Sequence, residues 1–83
     1  MNDRPVKHSV TLKGHRTSVS LEPEFWQAFR RIAAEKSVPI NALVAQIDVE
    51  RGTRAGLASA IRLHVLRDLQ ARLAADEDRS APE

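Results

Sequence analysis

The stretch His15-Arg16-Thr17-Ser18-Val19-Ser20-Leu21, followed directly by Glu22-Pro23-Glu24-Phe25-Trp26, reads as a short strand handing over to a helix. Alternation puts Thr17, Val19 and Leu21 on one face and Arg16, Ser18 and Ser20 on the other. Burying the first set turns the second outward, because a slip of one residue would bury an arginine and expose the aliphatics. Each strand then offers a narrow polar strip of one long cation and two hydroxyls. Such a strip suits the base edges of a DNA major groove, which admits a two-stranded ribbon and in which Arg and Ser can hydrogen-bond to bases.

Upstream, Met1 to Lys7 is polar, contains Pro5 and reads as a mobile arm. The N-terminal arm as a whole, residues 1–14, holds a possible strand over 8–13, where Val10 and Leu12 alternate with Ser9, Thr11 and Lys13. Gly14 then fits a bulge, a tight turn between two strands, or a hinge. Downstream, Glu22 to Lys36 has the helical period, with Phe25, Phe29, Ile32 and Ala33 on one face. Pro23 sits in the first turn, where a helix tolerates it, and Glu22 and Glu24 complement the positive end of the dipole. Ser37-Val38-Pro39 breaks that helix, since the residue before proline is pushed out of the α region.

A second helix starts at Pro39 or Ile40 and runs to about Arg51, with Ile40, Leu43, Val44 and Ile47 on one face and Gly52 as its stop. The third element is an additional helix over 53–74, capped by Thr53, in which Leu57, Ile61, Val65, Leu69 and Leu73 recur every four residues beside Ala58 and Leu66. The acidic tail, 75–83, is read as disordered.

Eighty-three residues make one domain at most, and a chain so small usually needs a staple or a partner. The absence of cysteine excludes disulfides and thiolate chemistry, so oligomerisation is the expected source of stability and a reducing cytoplasm the expected home. The charge is unevenly placed. Residues 1–20 hold Arg4, Lys7, Lys13 and Arg16 against Asp3 alone, whereas residues 67–83 hold Arg67, Arg72 and Arg79 against Asp68, Asp76, Glu77, Asp78 and Glu83. A basic end of this kind favours a polyanionic partner. No apolar run approaches a membrane span and no signal-peptide core is legible, so a cytoplasmic protein, nucleoid-associated when bound to DNA, is expected.

His8, His15 and His64 lack metal-ligand spacing, and no metal or other cofactor is expected. Asp48 and Glu50 beside Arg51 and Arg54 read as a solvated helix end rather than paired catalytic carboxylates, so no catalytic residue is assigned and the chain is not read as an enzyme. Trp26 and Phe29, one turn apart, suit packing, as does His64 beside Val65.

One strand with alternating faces, an amphipathic helix, a tight turn and a second amphipathic helix resemble the ribbon-helix-helix (Arc/MetJ/CopG-like) family of DNA-binding proteins. The matching residues are Arg16-Thr17-Ser18-Val19-Ser20-Leu21, Pro23 to Lys36, and Ile40-Asn41-Ala42-Leu43-Val44, so the resemblance covers a core of about residues 15–51. The run Ser9-Val10-Thr11-Leu12-Lys13-Gly14-His15-Arg16-Thr17-Ser18 and the later Leu57-Ala58-Ser59-Ala60-Ile61-Arg62 look like a bacterial branch with a third helix appended. The resemblance implies a mostly α fold with one short strand per chain, two chains pairing those strands antiparallel into a ribbon, and an intertwined homodimer. Its dimer core would take in Val19, Leu21, Phe25, Phe29, Ile32, Leu43, Val44 and Ile47. It implies base reading by Arg16, Ser18 and Ser20, and a phosphate held by the backbone at the start of the second helix, here Ile40 and Asn41 after Pro39. Lys13 and His15 flank the ribbon as further phosphate contacts, and Lys7 is an equal candidate for phosphate or for solubility.

Two features depart from the family pattern. The turn between the helices often carries glycine and then a capping Ser or Thr, where this chain has Ser37 and Pro39, and proline offers no N–H to a phosphate. The third helix lies outside the common pattern. The function this implies is a sequence-specific, double-stranded-DNA-binding transcriptional regulator, a repressor. The alternative is an antitoxin-like or adaptor module that holds a second protein through residues 53–83.

Overall fold

The computed structural model describes residues 4–52 and 56–80, so the expected cap at Thr53 and the end of the tail lie outside the described residues. Its elements in chain order are β1 (Val6–Leu12), β2 (His15–Leu21), α1 (Pro23–Glu35), α2 (Ile40–Arg51) and α3 (Leu57–Ser80). The two strands pair antiparallel as a hairpin, so each chain carries two strands where the resemblance implies one. Of the three readings open at Gly14, the tight turn is the one found. Lys13 and Gly14 have φ of 53° and 77°, the positive values that a two-residue type I′ turn requires and that match the twist of the strands it joins.

β1 begins two residues before the expected strand and takes in Val6 and Lys7, which read as arm. The reason is pairing: Val6 lies opposite Leu21, extending the inward row Val6, His8, Val10 and Leu12 along β2. Across from it lie Leu21, Val19, Thr17 and His15. Val10, Val19 and Leu21 are buried, and the half-buried His8 ring stacks on Trp26 of α1 at 3.9 Å between centroids and 8° between planes. A register slip would put this whole row in water.

α1 and α2 lie within a residue of their expected bounds. The break between them is a Schellman ending: Val38 N–H bonds to Ala33 O and Ser37 N–H to Ala34 O, with Ser37 at φ 57°. The left-handed position that most often takes glycine is thus held by a serine.

α3 differs from its expected length. It continues through the acidic run to Ser80 rather than ending near Leu73. Ala71, Ala74 and Ala75 are strong helix formers, and Arg72 clamps the segment by bonding to Asp68 one turn back and to Glu35 of α1. Earlier in α3, Ala60, Ile61 and Val65 close the core over α1 and α2. Val19, Leu21, Phe29, Ile32, Leu43, Val44 and Ile47 are therefore buried within one chain, and Phe25 is half-buried against the same cluster. The side chains that the family resemblance assigns to a core between two chains already have cover in a single chain, because the hairpin and α3 supply it.

Candidate nucleic-acid interface

Alternation along the hairpin gives it a second, polar face. Lys7 lies opposite Ser20, Ser9 opposite Ser18, and Thr11 opposite Arg16, and all six are exposed. The three residues expected to read bases are brought together on one side, and β1 adds a neighbouring row that the sequence reading leaves out of the base-reading strip. Residues 4–21 contain Arg4, Lys7, Lys13 and Arg16 and no carboxylate, so nothing on either strand opposes an anion.

The start of α2 is tied to this face. In a hairpin closed by a two-residue turn, Leu12 and His15 bond to each other, so Thr11 and Arg16 direct their backbone groups to the outer edges. Thr11 N–H accordingly donates to Asn41 Oδ1 at 3.0 Å. This bond sets the first turn of α2 against the β1 edge, beside the Thr11–Arg16 pair. Ala42 and Leu43 N–H groups bond back to Pro39 O, and no side chain caps the helix. Ile40 and Asn41 carry the first N–H groups of the helix, which have no intrahelical acceptor and point at the end where the dipole is positive.

Lys13 is at the hairpin tip, and its ammonium approaches Asp48 of α2 at 3.6 Å. Asp48 is buried and also takes the Arg51 guanidinium at 2.6 and 2.8 Å, so the tip is anchored electrostatically to the last turns of α2. The acidic residues at that helix end are thus not all solvated. His15 shares its face with Thr17 and Val19, not with Arg16, and is exposed only because it ends the strand. The structure therefore separates it from the polar strip, while placing Lys7 on that strip. Parity alone shows both, once β1 and β2 are known to pair through a two-residue turn.

At the other end of the hairpin, Arg62 of α3 makes a bidentate contact to Glu22 at 2.8 and 3.0 Å, reaches the Ser20 carbonyl at 3.5 Å and lies over the Phe25 ring. The Arg62 guanidinium holds the Glu22 carboxyl below its ordinary range. This junction fixes where β2 ends and α1 begins, and so the angle at which the ribbon stands off the helices. Among the described residues no cluster of His, Asp and Glu has the makings of a metal site, and no helix is long and apolar enough to cross a membrane.

A two-stranded ribbon with a polar outer face, leading into two helices through a tight turn, defines a class of nucleic-acid-binding fold. The chain matches the model of the ribbon-helix-helix domain over residues 5–69, and it belongs to that family. Family members are in general DNA-binding transcription regulators or antitoxins. Neither the curated proteins nor the solved structures yield a match.

Proposed function

We propose that this protein is a sequence-specific regulator of transcription, a repressor, that binds double-stranded DNA as a homodimer and reads the major groove with the outer face of its ribbon. The observation that carries the reading is the six-residue polar face, Lys7, Ser9, Thr11, Arg16, Ser18 and Ser20, on a hairpin free of carboxylates. Arg16 supplies the discriminating contact, because a bidentate guanidinium pair to guanine is worth about 1–3 kcal/mol over the wrong base. Ser18 and Ser20 donate to or accept from several bases and adjust the preference. Ile40 and Asn41 N–H groups hold a phosphate at the α2 N-terminus, and Lys13 and Lys7 hold others, while His15 reaches DNA only around the hairpin tip.

β1 occupies one edge of β2 and leaves the other open along Arg16 and Ser18, with Ser20 O taken by Arg62. Two copies that pair β2 to β2 about Ser18 build a four-stranded sheet. Its inner pair spans roughly 5 Å between strands and enters a groove about 12 Å wide, and its outer strands bring Lys7 to the rims where phosphates lie. This retains the family's ribbon of one β2 from each chain and adds β1 as a flank.

Selection of bound sequences from a random DNA pool at stated salt, followed by titration of Arg16→Ala on the selected site, tests the reading. Affinity for that site should fall by about 10- to 200-fold, corresponding to 1–3 kcal/mol, while binding to unrelated DNA changes far less. Unaltered affinity and preference in Arg16→Ala would refute the role of the strand. Lys7→Ala should leave the preference intact and flatten the salt dependence, by about 0.9 in the log–log slope for each phosphate left without its cation.

A further inference from the structure

α3 has two apolar faces, and the core uses one. Ala60, Ile61 and Val65 are buried against α1 and α2, whereas Leu63, Leu66, Leu69 and Leu73 are 42, 48, 44 and 61% exposed. At roughly 100° per residue, Leu66, Leu69 and Leu73 fall within about 60° of one another, on the side of the helix away from Leu57 and Ile61. Charge along α3 is ordered as well. Its first half, residues 57–67, holds Arg62 and Arg67 and no acid, and residues 73–78 hold Asp76, Glu77 and Asp78 and no base. The leucine stripe also has a fixed starting point: Arg62, one turn before Leu66, lies on the Ser20 carbonyl at the open edge of β2.

We propose that this outer face of α3 docks a second copy of the chain, two α3 helices crossing antiparallel about Leu69. An antiparallel crossing sets the basic half of each helix beside the acidic end of the other, while a parallel one sets like charges together. Self-complementarity of this kind is what a two-fold interface demands of a single patch. Continuity with the open β2 edge lets one partner cover both, so the proposal rests on the dimer reading above and adds to it the apolar half of the interface. The occupant is a second copy rather than an unrelated protein because the charge order of α3 complements its own reverse.

The test is sedimentation of the full chain over a range of concentrations, for wild type, Leu66→Glu/Leu73→Glu and Arg16→Ala. The wild type should be dimeric. The double leucine variant should raise the dimer dissociation constant by about tenfold or more, with the circular dichroism of the folded chain retained, because both side chains lie outside the core. Arg16→Ala should stay dimeric and lose its DNA site. Cysteine introduced at Leu69 into this cysteine-free chain should form a homodisulfide. Cysteine at Ser59 should not, as an antiparallel crossing about Leu69 leaves the two Ser59 positions roughly 30 Å apart. A double variant as dimeric as the wild type, a wild type that is monomeric throughout, capture of a different protein by the leucine face in place of self-association, or cross-linking at Ser59 would overturn the proposal. Failure of the DNA reading shows separately, as an Arg16→Ala chain that still binds its site.

Discussion

Ser37 offers a direct test of the backbone argument for the α1–α2 turn. It occupies the left-handed C′ position of a Schellman ending, φ 57°, and its side chain is exposed. An L side chain in that conformation costs roughly 1–2 kcal/mol, and glycine avoids the cost at the expense of about 0.5–1 kcal/mol of extra unfolded-state freedom. Replacement Ser37→Gly should therefore stabilise the fold by a net ~0.5–1 kcal/mol. For a domain of this size that corresponds to a rise in Tm of about 2–8 °C. Ser37→Ala is the control, since it keeps the Cβ and removes only an exposed hydroxyl, and it should show no gain. Thermal and urea unfolding compared at matched protein concentration would measure both, because the midpoint of an oligomer depends on concentration. A glycine variant no more stable than the alanine variant would show that the turn is not strained at Ser37, and the account of that position would be wrong.

Three further outcomes follow from the side-chain packing. Glu22 is held below its usual value of 4.5 by Arg62, so the folded state binds its proton less readily than the unfolded chain; its contribution is present above about pH 4.5 and lost on acidification, and Glu22→Gln should flatten the stability profile there in urea titrations. Burial pushes the His64 ring below its ordinary 6.5, with Lys36 and Arg67 acting in the same direction and Glu50 and Asp68 against it. Stability should thus be full above about pH 6.5 and fall below it, and His64→Leu should remove that dependence while matching or exceeding wild-type stability at neutral pH, because Nε2 is buried without a hydrogen-bond partner. Truncation after Gly52 removes Ile61 and Val65 from the core and should abolish cooperative unfolding by circular dichroism, whereas truncation after Ala75, which removes only an exposed turn of α3, should leave the melt nearly unchanged.

The ribbon face is legible from residues 15–21 because alternation leaves only one way to bury Thr17, Val19 and Leu21 without burying Arg16. The same logic yields α1 and α2, whose apolar periods and breakers agree. The polar row Lys7, Ser9 and Thr11 is visible as a pattern but not as part of the site, since alternation shows which side a residue takes and not which strand lies beside it. Likewise, the phosphate roles of Lys13 and His15 rest on nearness in sequence, and in space the first leans on Asp48 while the second faces the other way. The acidic end of α3 misleads because charge composition suggests disorder, while Ala-rich spacing and the Arg72 bridges to Asp68 and Glu35 favour helix.

What the chain by itself determined, then, is the sidedness of each element and the family it belongs to, because periodicity and steric rules act over a few residues. What the tertiary structure decided is the company each side keeps. Backbone hydrogen bonds carry no residue code, so only folding shows that β2 takes β1 along one edge and leaves the other open. Only packing shows that the core expected between two chains closes within one, and that α3, having filled it, keeps a second leucine face turned to the outside.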